Sequence, residues 1–212
     1  MADSVEKAAK QAAKVVKKLH KADEKATHKA ARHRDMLPVR TAGFLAEVAD
    51  QPPLIAIAVA TAGAGLAMRR PDLIRGGTRM LAAHLAATAL KAAIKHRIDR
   101  SRPAHELDGH PDTLRRGNSD AHQLNSLPSG HTAGAVAVAR AAARDIDGAT
   151  LPMTLAAGAV AAIQPVTGSH HLSDVVLGGV VGWVSEALVS AAFDRVEPAV
   201  ERALAERWPP AG

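Results

Sequence analysis

Apolar residues are concentrated in five segments separated by short polar stretches. All five are rich in Ala, Val and Leu, and none shows the alternation of a half-buried strand. We therefore predict five helices and an all-α fold. The five segments are 54–68, 78–94, 130–147, 151–167 and 174–193.

Several residues at the segment ends are typical of helix boundaries. Pro71 follows the first segment, and Gly148 with Pro152 separates the third from the fourth. Ser173 and Asp174 are suited to cap the fifth. Small residues four apart let helices approach closely, and two such pairs occur: Gly130 with Gly134, and Gly178 with Gly182.

The length of these segments leaves two kinds of helical bundle open. A helix needs about 20 apolar residues to cross the hydrocarbon of a bilayer. Only 174–193 is that long, and it contains Glu186. The first segment is shorter, and the second and third contain charged residues. Composition alone is therefore compatible with a membrane-embedded bundle and with a soluble one.

The first 40 residues differ from the rest of the chain. They hold eleven Lys/Arg against five Asp/Glu, whereas residues 41–212 hold sixteen of each. Apolar residues recur at helical spacing, which predicts an amphipathic helix. It could be a solvated charged tail, a membrane-surface helix or a nucleic-acid-binding arm. We predict three regions: a basic tail over 1–40, a bundle over 41–196 and a C-terminal tail over 197–212.

Composition excludes several classes of chemistry. The chain has no cysteine, which excludes a disulfide scaffold, a thiolate metal site and a cysteine nucleophile. Aromatic residues are only 2% of the chain, so no basic stripe interleaved with aromatics supports a nucleic-acid partner. The polar stretch 95–128 is either a solvated loop or a metal site, although its spacings match no tight ligand motif. Its histidines are His96, His105, His110 and His122.

Three short stretches contain residues suited to phosphate chemistry. Lys95–Pro103 places four cations at the end of a predicted helix. Ser126–His131 opens another helix, where free N–H groups and the helix dipole favour an anion. Gly168–Asp174 places His170 and Asp174 four residues apart, so the carboxylate could orient the imidazole as a nucleophile. Taken singly, these stretches could equally be a juxtamembrane basic patch, an ordinary capped helix and surface histidines.

Together the three stretches resemble a known family. Lys-x6-Arg-Pro, then Pro-Ser-Gly-His, then His-x3-Asp occur in this order within residues 95–174. The combination is similar to the type 2 phosphatidic acid phosphatase family, part of the superfamily shared with vanadium haloperoxidases. The resemblance implies a membrane-embedded bundle of five to six helices that hydrolyses a lipid phosphate monoester or a prenyl diphosphate.

The resemblance also implies a role for each matching residue. His170 would attack phosphorus and form a phosphohistidine, Asp174 would orient it, and His131 would protonate the leaving group. No metal or other cofactor would be needed, because side-chain cations and backbone donors would stabilise the transferring phosphoryl group. The phosphate oxygens would be bound by Lys95, Arg102, Ser129 and Gly130.

The third motif departs from the family pattern. That pattern has Ser-Arg seven and six residues before the histidine, where this chain has Ile163 and Gln164. Gln164 can donate a hydrogen bond but has no charge, and charge-assisted bonds are roughly twice as strong as neutral ones. Arg97 or Arg100 could substitute for the missing cation. Otherwise the chain is a catalytically impaired relative that binds anionic lipid or phosphate without turnover.

The resemblance favours an integral membrane protein, in the plasma (inner) membrane of a bacterium. Family members usually have six spans, and five are visible here; the weakly apolar stretch 36–50 could lie in the interface. The basic N-terminus predicts a cytoplasmic start. Family precedent places the first motif outside the cytoplasm, which agrees with six spans and conflicts with five. The sequence predicts neither the substrate lipid nor the oligomeric state.

Overall fold

A computed structural model describes residues 2–207 of the chain, with side chains described for 5–7, 10–12, 14–196 and 198. This part of the chain contains eight α-helices and two short strands. The helices are α1 (Ala2–Ala31), α2 (Leu37–Ala46), α3 (Gln51–Met68), α4 (Pro71–Lys95), α5 (Pro103–Leu107), α6 (Gly130–Asp145), α7 (Thr150–Val166) and α8 (Leu172–Arg207). The strands are β1 (Ile98–Arg100) and β2 (Leu114–Arg116).

The five predicted helices are confirmed as α3, α4, α6, α7 and α8, and they form the bundle. α4 and α6 pack against each other at its centre, with α3 on α4, α8 on both and α7 on α6. The buried core is mostly alanine, with a few larger residues such as Met80 and Val138. Small side chains bring the helix axes close together.

Glycines on α8 allow this helix to lie against α6. A Cβ atom at Gly178 would lie 2.6 Å from the carbonyl oxygen of Ser129. A Cβ atom at Gly182 would lie 2.4 Å from that of Ala133. The predicted close approach at this glycine pair is therefore confirmed, and it brings the start of α8 against the start of α6.

Three arginines inside the apolar segments are paired with buried carboxylates. Arg79, which is 3% exposed, donates to the Asp145 carboxylate from Nε at 2.7 Å. The Glu186 carboxylate is fully buried and accepts from Arg140 Nε at 2.8 Å and from Arg144 Nε. Pairing offsets the cost of taking these charges out of water, so their presence is compatible with a bundle in lipid.

Two helices in the described part of the chain are long and apolar enough to cross a membrane. They are Gln51–Met68 and Leu172–Val196, of which 17% and 33% is buried inside the protein. Most of their apolar surface therefore faces outward, and large exposed apolar areas mark contact with lipid or another protein. α7 is apolar but shorter, and α2 has ten residues, about 15 Å, which is too short to cross.

The ends of the chain differ from the predicted regions. The amphipathic helix at the N-terminus is present as α1, and its second half packs on the bundle, with Thr27 and Ala31 fully buried. At the other end, α8 continues as a helix to Arg207, so the predicted tail over 197–212 begins inside it. Residues 208–212 lie outside the described residues.

The polar stretch between α4 and α6 contains structure that the sequence did not predict. β1 and β2 pair antiparallel with Asp99 opposite Arg115, and α5 lies between them. Strands of three residues are too short to show alternation. Outside the strand pair, the Ser126 N–H donates to the Arg100 carbonyl and the Ala104 N–H donates to the Gly168 carbonyl, which join this stretch to the start of α6 and to the turn before α8.

Candidate active site

The N-terminus of α6 forms one wall of the candidate site. Ser129 is its N-cap, and its fully buried hydroxyl accepts from the Thr132 N–H at 3.4 Å. The Ser129 N–H donates to the backbone carbonyl of Asp174 at 3.0 Å. These bonds fix the start of α6 against α8. The free N–H groups of the first turn, beginning at Gly130, remain suited to bind an anion.

A tight turn between α7 and α8 holds His170. Gly168 has a φ of 75°, a backbone conformation that favours glycine. The N–H groups of Ser169 and His170 both donate to the carbonyl oxygen of Gln164. The side chain of His170 is 2% exposed, and its Nδ1 lies 2.7 Å from the Ser126 carbonyl oxygen.

This contact fixes the tautomer of His170. A carbonyl oxygen can only accept, so Nδ1 carries the proton and Nε2 keeps its lone pair. Nε2 takes part in no hydrogen bond with the residues that the structure describes. His170 therefore presents an unprotonated nitrogen, as a nucleophile requires.

Asp174 does not orient His170 directly, which corrects the expected geometry. Its Oδ2 lies 3.9 Å from His170 Nδ1, beyond hydrogen-bond distance. The carboxylate accepts instead from Arg100 Nη1 and from Ser126 Oγ, each at 2.6 Å, and from the His171 N–H at 2.9 Å. Because Ser126 also supplies the carbonyl that holds His170, Asp174 acts on the imidazole through Ser126.

Two cations approach the site without a carboxylate partner. Lys95 Nζ donates to the Asn125 carbonyl oxygen at 2.6 Å. Arg102 donates from Nε to the His122 carbonyl at 2.9 Å and from Nη1 to the Ser169 carbonyl at 3.1 Å. Within the described residues neither side chain forms a salt bridge. Burial, with the charges of Arg102 and Lys91 adding to it, lowers the pKa of Lys95 to about 7, so a bound anion would favour its charged form. A cavity of 310 Å³ lies beside Arg102.

These cations change the ionisation of His170. Burial disfavours the imidazolium, and the positive charges of Arg102 and Lys95 add to this effect, so the pKa of His170 lies well below its usual 6.5. The hydrogen bond to the Ser126 carbonyl acts in the opposite direction but does not outweigh them. His170 is therefore neutral at neutral pH.

Two further predicted site residues are His131 at the start of α6 and Gln164 near the end of α7. His131, at the second position of α6, contacts Glu47 at 3.4 Å and is close enough for its charge to affect His170. Gln164 is 4% exposed, and its backbone carbonyl accepts from the turn that carries His170.

Neither suggested arginine replaces the missing one. Arg97 is exposed and donates to the Ala93 carbonyl of its own helix at 2.9 Å. The Nη1 and Nη2 atoms of buried Arg100 are bound to the carboxylates of Asp174 and Asp23. Arg100 therefore neutralises acidic side chains and has no charge to offer to a phosphate.

Lys91 is a cation near the site that lies outside the three motifs. Its Nζ would lie 3.0 Å from a Cβ atom placed on Gly130, so the ammonium lies over the first residue of α6. Lys91 forms no hydrogen bond or ion pair with the described residues. It precedes Lys95 by four residues, one helical turn, so both project from the same face of α4. This four-residue spacing is the feature of the sequence from which Lys91 could have been predicted as a site residue.

The metal site considered for the polar loop is not formed by its four histidines. His105 and His110 stack on each other with centroids 3.9 Å apart, and the Arg102 charge, with burial adding to it, lowers the pKa of His122. Among the described residues, the two groups that could hold a metal ion instead join α1 to the loop. They are His20, Glu24 and Asp112, and Glu24, His28 and Glu106.

The fold and site together define a class of protein. A helical bundle brings unpaired cations, a helix N-terminus and a neutral imidazole to one place, an arrangement suited to binding a phosphate. The family model of the PAP2 superfamily matches residues 76–197, which include all three motifs. The chain belongs to the PAP2 superfamily.

Two solved structures share this fold. One is the first transmembrane PAP2 type phosphatidylglycerolphosphate phosphatase from Bacillus subtilis, with a TM-score of 0.60 and 18% identity over 84% of this chain and 87% of that one. The other is Aquifex aeolicus LpxE, with a TM-score of 0.57 and 17% identity over 79% and 93%. No curated protein matches the chain significantly.

Proposed function

We propose that the protein is a membrane phosphatase that hydrolyses a lipid phosphate monoester or a prenyl diphosphate through a phosphohistidine. The observation that supports this most strongly is the environment of His170. Its Nδ1 proton is held by Ser126 at 2.7 Å, which leaves Nε2 free beside two unpaired cations. We place the protein in the inner membrane of a bacterium, with its outward-facing apolar helices in lipid.

In the first step, the substrate phosphate binds to Lys95, Arg102 and the backbone N–H groups at the start of α6. The Nε2 lone pair of His170 attacks phosphorus as the bond to the leaving oxygen breaks. His131 gives that oxygen a proton. The cations and the helix dipole stabilise the charge on the transferring phosphoryl group, without proton transfer to its oxygens.

In the second step, water attacks the phosphohistidine and releases inorganic phosphate. His131, now neutral, accepts the proton of that water, so the enzyme returns to its starting ionisation. The Ser126 carbonyl holds the Nδ1 proton throughout. Asp174 keeps Ser126 in place, and Arg100 balances the carboxylate charge. In this scheme the charge stabilisation comes from side chains and backbone groups, with no metal ion.

We assign the third positive charge of the phosphate site to Lys91. A phosphate seated on the first turn of α6 would meet its ammonium, which lies over Gly130. The charge that the family pattern places at the position of Gln164 would then come from α4. On this assignment three cations, Lys91, Lys95 and Arg102, surround the phosphate. Lys91 on α4 replaces the arginine that the family pattern places on α7.

The experiment is phosphate release by the detergent-purified protein from phosphatidic acid, phosphatidylglycerol phosphate and farnesyl diphosphate. We expect His170→Ala to abolish release and His96→Ala, at an exposed position, to leave it unchanged. The wild type should form an acid-labile, alkali-stable phosphoprotein that the His170 variant lacks. Equal rates for wild type and His170→Ala would contradict the mechanism.

The replacement of the family arginine by Gln164 supports a second candidate function. A site that keeps Lys95 and Arg102 but stabilises the transition state poorly would bind anionic lipid or phosphate without turnover. This alternative predicts binding of phosphatidic acid vesicles with no phosphate release. Formation of the phosphoprotein distinguishes the two, because a binding protein would not form it.

A further inference from the structure

The N-terminal helix α1 supplies groups to the start of α8. Leu172 is the first residue of α8, so its N–H has no partner within the helix. It donates to the hydroxyl of Thr27 at 3.2 Å, and the N–H of Ser173 donates to Asp23 Oδ1 at 3.1 Å. Two residues of α1 therefore cap the helix that follows His170.

The carboxylate of Asp23 also reaches the buried charges of the site. Its Oδ2 accepts from Arg100 Nη2 at 2.8 Å and from the Ser173 hydroxyl. Through Nη1, the same arginine binds Asp174 at 2.6 Å. Burial raises the pKa of Asp23, but the bonds from Ser173 and Arg100 outweigh this and lower it, so the carboxylate is charged.

A second contact joins α1 to the other side of the same turn. His28 Nε2 lies 2.7 Å from Glu106 Oε2, and Glu106 Oε1 lies 3.3 Å from His171 Nε2. His171 is fully buried and directly follows His170. The turn that carries His170 is thus held between two polar contacts that both originate on α1.

We propose that α1 is part of the active site, and that Asp23 is a positioning residue that sets the geometry of His170 through Arg100, Asp174 and Ser126. Removing the Asp23 charge leaves Arg100 with one carboxylate instead of two. Arg100 then moves toward Asp174, and the hold of Asp174 on Ser126 changes. This role lies outside residues 76–197, which match the superfamily model, and it rests on the proposed function of His170.

The test compares three variants on α1 in detergent-purified protein. Asp23→Ala should lower kcat by about 10- to 100-fold, the range for loss of a buried hydrogen bond to a charged group. KM should change little, because Asp23 does not touch the substrate. Asp23→Asn keeps an oxygen acceptor for Ser173 and should fall between Asp23→Ala and wild type. Lys25→Ala, at an exposed position on the same helix, is the matched control.

A readout independent of turnover separates this proposal from the proposed function. In protein labelled with ¹⁵N at histidine, the His170 resonances, assigned with His170→Asn, report its tautomer and pKa. We expect both to change in Asp23→Ala and to stay as in wild type in Lys25→Ala. If the His170 resonances change in Asp23→Ala but no protein, the wild type included, releases phosphate, the proposed function is wrong and the positioning role stands. Unchanged resonances and unchanged kcat in folded Asp23→Ala protein would overturn the role of α1.

Discussion

The Nδ1 atom of His170 donates to the backbone carbonyl oxygen of Ser126 at 2.7 Å, while the Asp174 carboxylate lies 3.9 Å away. A neutral carbonyl holds the proton and raises the pKa of the imidazole less than a close carboxylate would, so burial and the nearby cations still keep that pKa low. His170 is therefore kept neutral, as the proposed attack on phosphorus requires.

This environment predicts the pH dependence of the reaction. Burial, with the charges of Arg102 and Lys95, lowers the pKa of His170, so Nε2 stays unprotonated at pH values where an ordinary imidazole would be charged. The acid limb of the kcat/KM profile that reports protonation of His170 should lie below pH 6.5. In Arg102→Met, one of the charges that lowers this pKa is gone, so the limb should move to higher pH.

The measurement is the pH profile of kcat/KM for one soluble phosphate monoester with both proteins. Ionisation of the substrate contributes equally to both profiles, so their difference reports the enzyme. His96→Ala should reproduce the wild-type profile. An Arg102→Met limb at the same pH as the wild type, or lower, would show that Arg102 does not act on His170.

The helices of the bundle could be predicted because each is a long apolar segment bounded by Pro, Gly or a capping residue. The site was predictable only where its residues lie close together in the motifs. Asp23 escaped prediction because its partner Arg100 is 77 residues away in the sequence and only the fold brings them together. Arg100 itself resembles a phosphate ligand in the sequence, and only its two carboxylate contacts show otherwise.

The assignment of Lys91 predicts the behaviour of two substitutions. Lys91→Met should lower kcat/KM by about 10²–10³, the loss seen when one donor to a developing negative charge is removed. Gln164→Arg in the Lys91→Met background should recover part of that loss, because it returns a cation to the position where the family pattern has one. Phosphate release from phosphatidic acid by the two single variants and the double variant measures both effects.

Gln164→Met is the matched control for this pair, since it changes the side chain without adding charge and should rescue nothing. If Lys91→Met retains wild-type kcat/KM, the third cation is not Lys91. Full activity of Lys91→Met would also mean that Lys91 does not compensate for the uncharged Gln164.

The close approach of α8 to α6 predicts opposite outcomes for two adjacent glycines. A Cβ atom at Gly178 would lie 2.6 Å from the Ser129 carbonyl oxygen, whereas at Gly179 nothing lies within 4 Å. Gly178→Ala should push α8 away from the N-terminus of α6 and disturb the Ser129–Asp174 bond. We expect it to lower kcat by about tenfold or more, the effect of misplacing catalytic groups by about 1 Å.

Gly179→Ala should leave kcat unchanged, and by replacing a helical glycine it should raise stability by about 0.5–1 kcal/mol. Phosphate release and thermal unfolding in the same detergent measure the two effects. Equal activity of both alanine variants would mean that α8 can shift without disturbing the site.

The buried charges at the opposite end of the bundle predict an effect on stability. Glu186 is fully buried and binds Arg140 and Arg144, whose side chains are 37% and 42% exposed. Glu186→Gln leaves both arginines without their carboxylate. A broken, fully buried pair costs about 3–5 kcal/mol. Solvent around the two arginines reduces that cost, so we expect a loss of about 1–3 kcal/mol.

The control is Glu6→Gln on α1, which breaks an exposed pair with Lys10. Exposed pairs contribute about 0–1 kcal/mol, so this variant should unfold close to the wild-type temperature. Thermal unfolding in detergent compares the three proteins, and a Glu186→Gln/Arg144→Met double variant shows how much of the loss comes from the unpaired Arg144. If Glu186→Gln unfolds at the wild-type temperature, the Glu186 pairs do not stabilise the bundle.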